Sequence, residues 1–264
     1  MKVNTLNCVN DHVDHVYVVT VKTFEDRIEH IKKEMMKHGI SFSFFYEHFT
    51  PNLQTDIELK FNTDMKTAYK ANVLQHIALW EDAVRKGYKR ILVFEDDVIL
   101  DNNFNYHFNE LILEANLLKE DYIVFLGGAD SKVPEDFFLS KKPLYPMAIA
   151  TSEGLIMDLA GIKRRLTWTK NNKIHCPIDH LIAHIDRTEH AQTFWSRKPI
   201  TSQASISGVL RTKFDKNRLS HSELYNKLRY HWNKFQRRQA RAYLVRIKAL
   251  LINLANKLLH IIQS

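Results

Sequence analysis

Features that mark several common protein classes are scarce in this chain of 264 residues. It has seven glycines and no GxGxxG or GxxxxGK[ST] pattern, so it lacks the glycine-rich loops of dinucleotide-binding and P-loop proteins. Two cysteines, Cys8 and Cys176, are too few for a disulfide framework or a cysteine-based metal cluster. We therefore expect both to be reduced thiols.

Long apolar segments are also missing from the sequence. The first residues contain no apolar run of the kind found in signal peptides, so we expect no such peptide. Near the end, ALLINLANKLLHII (249–262) is interrupted by two asparagines and a lysine, and it falls short of the ~20 apolar residues of a spanning helix. The chain is nevertheless 45% apolar, with 15 Phe and 10 Tyr, which is enough to form a substantial core.

Acidic residues are absent from the last part of the chain. Residues 224–264 contain nine Lys and Arg and no Asp or Glu, while the whole chain has a formal charge of +8. The preceding residues are therefore close to neutral overall, and the basicity belongs to the tail. We predict a main domain over residues 1–221 and a basic helical tail over residues 222–264 with an anionic partner.

The apolar pattern of the main domain alternates between strand and helix periods. Strands are predicted at 15–21, 40–49, 91–94, 121–128 and 147–157, and helices at 24–38, 66–86, 104–118, 158–168 and 176–186. Residues 130–146 hold three prolines and are interpreted as a loop or lid, and residues 194–221 as irregular. The alternation predicts an α/β fold in layers.

The segment RILVFEDDVIL (90–100) sets Glu95, Asp96 and Asp97 directly after a buried strand. Burying an unpaired charge costs several kcal/mol, so the three carboxylates face either water or a positive partner. Ligands of open α/β sheets bind beyond the carboxyl ends of strands, and hard cations join carboxylates to phosphates. The cluster favours a nucleotide diphosphate held by Mg²⁺ or Mn²⁺. The alternative is that two acids face solvent and one caps the next element.

Five sequence blocks, taken in order, resemble glycosyltransferase family 25, the bacterial lipopolysaccharide and lipooligosaccharide glycosyltransferases. They are HVYVVTVKTFEDRIEHIKKEMMKHGISFSFF, KANVLQHIALWEDAVRKGYKRILVFEDDVIL, DYIVFLGG, CPIDHLI and KPITSQ, and together they span about residues 15–210. The resemblance implies a GT-A type nucleotide-diphospho-sugar-binding fold with a mixed central sheet and Mn²⁺ or Mg²⁺ as cofactor. It also implies inverting transfer of galactose or glucose from a UDP-hexose to a lipid-linked oligosaccharide, the lipooligosaccharide or lipopolysaccharide core.

The resemblance also assigns residues to the donor site. Asp97 matches the metal ligand, and Glu95 or Asp96 lies near the ribose or a metal-bound water. Thr20 ends the first strand and Arg27 lies on the next helix, on the uridine side.

On the second predicted helix, the chain partly departs from the family pattern. His76 keeps the family's histidine, but the serine before it is Gln75 here, and the usual glycine-cysteine pair is 71–72, Ala-Asn. GT-A type enzymes often take a further metal ligand from a downstream histidine, and His180 and His221 are the candidates between which the sequence does not decide.

Two acids compete for the role of catalytic base, which an inverting transfer needs to take the proton of the acceptor hydroxyl. Asp179 matches the acid of the family's PvDh block, although a carboxylate in a first helical turn also stabilises the helix dipole. Glu153 stands where the family tends to have alanine-tyrosine; it is a sugar ligand, an alternative base or an exposed edge residue. Gln203 matches a glutamine on the acceptor side.

The tail has one apolar helical stripe, formed by residues 244, 247, 251, 254, 258 and 261. With its interleaved cations and aromatic rings, such a helix suits an anionic membrane surface, and the resemblance places that surface on the cytoplasmic face of the inner membrane. Alternatively, the helix packs against its own domain or pairs with a second copy in a homo-oligomer.

Three other functions compete with the transferase. A nucleic-acid-binding protein would explain the tail, but the main domain lacks net positive charge, so we expect no nucleic-acid partner. A nucleotidyl- or phosphoryl-transfer enzyme would use the same acids. An inactive family member is the third alternative, because 71–72 and 153–154 break the family pattern.

Overall fold

The structure is a computed structural model that describes residues 8–46, 53–139, 141–211 and 219–263, without the side chains of residues 53 and 257–263. Part of the second predicted strand (47–49), residues 50–52, and residues 212–218 of the irregular segment lie outside the described residues. So do the side chains of positions 258 and 261 in the apolar stripe.

The strands in the described ranges are β1 (His15–Thr20), β2 (Ser43–Tyr46), β3 (Arg90–Glu95), β4 (Val98–Leu100), β5 (Tyr122–Phe125), β6 (Leu144–Pro146), β7 (Gly154–Asp158), β8 (Gln192–Ser196) and β9 (Thr201–Gln203). The helices are α1 (Glu25–Lys37), α2 (Leu53–Lys60), α3 (Thr67–Lys86), α4 (Phe104–Ala115), α5 (Leu159–Asn171), α6 (Ile178–Thr188), α7 (Ala204–Ser207), α8 (Glu223–Lys234) and α9 (Arg241–Gln263). Short 3₁₀ turns occur at Val9–Asp11 and Asp136–Phe138, and a π-helical segment, Phe235–Ala240, joins α8 to α9.

Seven strands form one mixed sheet in the order β2-β1-β3-β7-β5-β8-β6. Strand β1 is parallel to β2 and β3, β7 is antiparallel to both β3 and β5, and β8 is parallel to β5. Strands β1, β3, β5 and β8 therefore end at the same edge, where β7 begins. We call it the carboxyl edge; Thr20, Glu95, Phe125, Ser196 and Gly154 mark it. The predicted α/β fold with a mixed central sheet is confirmed.

Apolar side chains cover both faces of the sheet, because successive residues of a strand point to opposite sides. In β1, Tyr17 and Val19 belong to the core on the face of α3, α5 and α6, whereas Val16 and Val18 belong to the core on the face of α1 and α4. The sheet is thus buried on both sides, and its carboxyl edge is left as the place for polar side chains.

Two predictions about the connecting segments hold only in part. The described part of 130–146 is mostly loop, as one of the two alternatives predicted, but Val133, Phe137 and Leu144 are buried in the core and the segment ends in edge strand β6. Within 194–221, the described residues include the end of β8, all of β9 and helix α7. As predicted, a buried strand leads directly into the acids: β3 ends at Glu95, Asp96 and Asp97 form a turn, and β4 starts at Val98.

The tail is helical as predicted, and its first part packs on the main domain. The backbone N–H of Val133 donates to the carbonyl oxygen of Arg237 over 3.4 Å. The guanidinium of Arg238 lies 4.9 Å from the ring centre of Phe137 and 5.0 Å from that of Trp195. In contrast, the apolar side chains of α9 are exposed at positions 244, 247, 251 and 254. None of the described helices combines the length and apolarity needed to cross a membrane.

Candidate active site

The carboxylates at the turn after β3 meet a buried cation from α1. Asp96 accepts hydrogen bonds from the hydroxyl of Thr20, over 2.8 Å, and from the guanidinium of Arg27. A second guanidinium nitrogen of Arg27 lies 3.6 Å from Asp97. Because β1 and β3 are parallel neighbours, the end of β1 and the start of α1 reach the turn. The positive charge of Arg27 thus offsets part of the repulsion among the carboxylates of Glu95, Asp96 and Asp97.

Asp97 has one carboxylate oxygen that its surroundings do not use. The side chain is buried, and its Oδ1 atom has no hydrogen-bond partner among the described residues. Its backbone carbonyl accepts from the N–H of Ala204 over 2.7 Å, which fixes the turn against α7. Burial of an unpartnered carboxylate oxygen is costly, and a ligand that supplies positive charge would relieve that cost.

The residues present fit a cation held partly by its substrate. In the described part of the chain, no three His, Cys, Asp or Glu side chains come together as a metal cage. Mg²⁺ and similar cations are commonly bound by one or two carboxylates plus phosphate oxygens of a substrate. Asp97 provides such a carboxylate, whereas Asp96 is already engaged by Thr20 and Arg27.

Glu95 lies between two other segments of the carboxyl edge. Its Oε1 accepts from the hydroxyl of Ser152 over 2.6 Å, and its Oε2 accepts from the amide of Gln203 over 2.9 Å. Burial, aided by the charge of Asp97, raises the pKa of Glu95 to about 7. The structure thus places Gln203, predicted on the acceptor side, in direct contact with the acid cluster.

Glu153 is buried immediately before β7, and its carboxyl group is fully bonded. Its Oε1 accepts from the backbone N–H of Gly128 over 2.7 Å and its Oε2 from the hydroxyl of Thr151 over 3.0 Å. Burial raises the pKa of Glu153 to about 8, so the group is mostly protonated at neutral pH. A Cβ atom on Gly127 would lie 1.7 Å from Glu153 Oε1, so the chain needs glycine there.

Asp179 lies in the first turn of α6. Its side chain is partly exposed and accepts from the backbone N–H of His180 over 2.9 Å. The charge of Asp179 contributes to the raised pKa of Glu95, so the two carboxylates lie within electrostatic range. His180 is exposed, and His221 is exposed and stacks on Tyr225 at 4.5 Å.

The structure does not bring His76 into contact with the acids. The imidazole is wholly buried near Trp80, neither ring nitrogen has a partner among the described residues, and burial lowers its pKa to about 4. The adjacent Gln75 instead reaches the carboxyl edge, where its amide donates to the carbonyl oxygens of Thr20 and Phe45, each over 2.8 Å. The residue that departs from the family pattern therefore ties the end of β1 to β2.

Sequence reasoning missed Ser152, Asp130 and Tyr230 at this edge. Asp130 lies in the segment after β5, beyond two glycines, and five residues past the end of the strand. Tyr230 comes from α8; its side chain is buried and hydrogen-bonds Ser202. Burial, together with the charges of Glu153 and Asp130, raises the pKa of Tyr230 to about 12. The tail therefore contributes to the edge that carries the acids.

Comparison with known proteins finds similarity to glycosyltransferases. The model of glycosyltransferase family 25 (LPS biosynthesis protein) matches residues 13–139. A "Putative glycosyltransferase" of Haemophilus influenzae is 28% identical over 190 residues, which cover 66% of this chain and 64% of that protein. The "Lipooligosaccharide biosynthesis protein lic2B" of Haemophilus influenzae is 30% identical over 99 residues, 33% of this chain and 35% of that protein.

The chain is also similar to the "Probable inactive glycosyltransferase 25 family member 3" of Rattus norvegicus. The two are 28% identical over 131 residues, which cover 47% of this chain and 23% of the rat protein. In each of these comparisons the aligned region spans less than two thirds of the relative's own length.

Proposed function

We propose that this chain, whose residues 13–139 match the model of glycosyltransferase family 25, is an inverting glycosyltransferase that moves galactose or glucose from a UDP-sugar to a lipooligosaccharide or lipopolysaccharide core. The observation that carries this proposal is the buried carboxylate oxygen of Asp97, which has no partner among the described residues and lies at the carboxyl edge. Burial of an unpartnered carboxylate oxygen is costly, and a bound cation would offset that cost.

The donor half of the proposed site lies at the ends of β1 and β3. Asp97 would hold Mn²⁺ or Mg²⁺, which when bound offsets the negative charge of the diphosphate leaving group. Thr20 and Arg27 keep Asp96 in place through their hydrogen bonds, and Arg27 moderates the charge beside Asp97. These residues orient the turn before the donor arrives, so little rearrangement is needed on binding.

Transfer with inversion is a single displacement. The acceptor hydroxyl forms a bond to the anomeric carbon as the bond from that carbon to the UDP oxygen breaks, and a base takes the hydroxyl proton. Asp179 is our proposed base, because it is partly exposed at the rim of the acid cluster. Glu153 is proposed to stay neutral and to form part of the wall of the sugar pocket.

A panel of nucleotide sugars tests the proposal on the purified chain. We expect hydrolysis or transfer from UDP-galactose or UDP-glucose with Mn²⁺ present and none with EDTA, measured as released UDP. Calorimetric titration with UDP and Mn²⁺ reports binding separately. Absence of UDP binding would refute the proposal, binding without turnover would indicate an inactive relative, and turnover of nucleoside triphosphates alone would indicate nucleotidyl or phosphoryl transfer.

We further propose that α9 attaches the enzyme to an anionic membrane, on the cytoplasmic face of the inner membrane. The exposed apolar stripe and the basic composition of the tail support this. We expect the chain to cosediment with vesicles containing phosphatidylglycerol and not with neutral vesicles, because cations add on the order of 1 kcal/mol each near an anionic surface. Replacement of Leu251 by Glu should weaken this binding.

A matched control for that experiment is Leu113→Glu, which changes an equally exposed leucine on α4 of the main domain. Equal cosedimentation of both variants with the wild type would contradict membrane attachment through α9. A doubled mass in analytical ultracentrifugation, lost in Leu251→Glu, would instead assign the stripe to a second copy of the chain.

A further inference from the structure

A cavity of about 200 Å³ lies between the tail and the main domain. We call it the tail cavity. Six polar residues line it: Asp130, Asn226, Arg229, Tyr230, Asn233 and Arg237. Helix α8 supplies four of them, the π-helical segment supplies Arg237, and Asp130 follows β5.

The tail cavity adjoins the acid cluster through two connections. Tyr230 in its wall hydrogen-bonds Ser202, while the next residue of β9, Gln203, donates to Glu95 over 2.9 Å. Tyr230 and Asp130 also lie within electrostatic range of Glu153. The cavity therefore lies beside β9 and the segment that follows β5. The proposed donor residues lie on the other side of the acids, at the end of β1.

Backbone features at two positions, Gly208 and Asp130, bring the walls of the tail cavity together. Gly208, at φ +76°, lets α8 approach closely, because a Cβ atom there would lie 2.9 Å from the carbonyl oxygen of Glu223. Arg237 donates to the backbone carbonyl oxygen of Asp130 over 3.3 Å, which joins the two walls. Arg237 lies in a π-helical segment, and such segments occur frequently at functional sites.

The lining combines groups that recognise an anion with groups that recognise hydroxyls. Arginine presents a planar fork of donors that matches carboxylate and phosphate oxygens, and asparagine and tyrosine exchange hydrogen bonds with hydroxyls. Arg229 is exposed and makes no ion pair with any described carboxylate. Its charge is therefore available to a ligand.

We propose that the tail cavity is the acceptor site and that it takes a sugar bearing a phosphate or carboxylate group. The anionic group binds Arg229 and Arg237, and the sugar hydroxyls bind the neighbouring asparagines and Asp130. The assignment of this cavity as the acceptor site rests on the proposed transferase function, whereas the recognition of an anionic sugar is inferred from the residues that line the cavity. The basic tail is then part of the substrate site as well as a candidate membrane contact.

The test measures the affinity of simple probes for the full chain by NMR saturation transfer and calorimetry. Glucose 6-phosphate represents the ligand class, with glucose and inorganic phosphate as its two halves. We expect glucose 6-phosphate to bind more tightly than either half. In Arg229→Gln we expect its affinity to fall about tenfold, since a charge-assisted contact is lost. Arg229 is exposed, so the variant should fold normally, as checked by circular dichroism.

The matched control is Arg246→Gln, which removes one exposed cation of the same tail away from the cavity. It should bind glucose 6-phosphate like the wild type. The proposal is overturned if both variants lose affinity equally, if Arg229→Gln binds normally, or if inorganic phosphate alone binds as tightly as glucose 6-phosphate.

A titration of UDP with Mn²⁺ on the same samples separates this inference from the proposed function. Binding of UDP without binding of glucose 6-phosphate overturns the cavity assignment and leaves the transferase proposal standing. Binding of glucose 6-phosphate without UDP has the opposite meaning: the transferase proposal fails, while the anionic-sugar site is supported.

Discussion

Replacement of Asp97 by Asn is expected to abolish Mn²⁺-dependent cleavage of the UDP-sugar while the fold survives. The amide has nearly the same shape but carries no charge, so it is a much weaker ligand of a hard cation than a carboxylate is. We expect a loss on the order of 10²–10³-fold, typical when one group that stabilises developing charge is removed. Initial rates of UDP release, with Mn²⁺ or EDTA, measure the effect.

The structure gives reasons why this variant should fold. The contact that fixes the turn uses the backbone carbonyl of Asp97, which accepts from Ala204 and is kept in the variant. Arg27 retains its bond to Asp96. Loss of one of several crowded carboxylates also lowers the repulsion that helps to raise the pKa of Glu95. We therefore expect unchanged circular dichroism and no loss of thermal stability.

Asp101→Asn is the matched control, because Asp101 is a second aspartate close to the same turn. Its carboxylate accepts from the backbone N–H of Asn103 over 3.0 Å and lies 3.6 Å from Lys198. Activity in this variant should match the wild type. If Asp97→Asn keeps its Mn²⁺-dependent activity, the cation is held elsewhere and the argument built on the unpartnered oxygen is wrong.

The part of the site built on β1 and β3 could be anticipated from the sequence. The resemblance to glycosyltransferase family 25 assigns Thr20, Arg27 and the acids to one donor site, and the structure shows β1 and β3 as parallel neighbours that carry their carboxyl ends to one edge. Thr20, Arg27 and Asp96 therefore meet, as the hydrogen bonds show. Sequence pattern is informative here because each element is long and strongly periodic.

The contribution of β6, β9 and α8 to the carboxyl edge could not be predicted from the sequence, for physical reasons. Strands β6 and β9 have three residues each, too few to show a period of two, and β6 ends in a proline that suits an edge strand. The tail was treated as separate because its composition differs. Composition does not reveal that Tyr230 is buried beside Ser202, since that contact depends on how α8 crosses the domain.

The base of the reaction can be identified by comparing two neutral variants. We expect Asp179→Asn to reduce transfer by 10²–10⁴-fold, the usual contribution of a general base, with UDP affinity unchanged. Glu153→Gln should have a smaller effect, because the amide oxygen can still accept from the N–H of Gly128. A larger loss in Glu153→Gln than in Asp179→Asn would reverse the assignment of the base.

The pH dependence of transfer provides an independent test of the same choice. The pKa of Glu153 is raised from 4.5 to about 8 by burial, so this carboxyl group holds its proton below that pH and cannot accept another. If Glu153 were the base, the rate would rise as the pH passes through about 8. With Asp179 as the base, we expect no rise there in the wild type, and the profile of Glu153→Gln should have the same shape. A rise near pH 8 that disappears in Glu153→Gln would show that the buried glutamate accepts the proton.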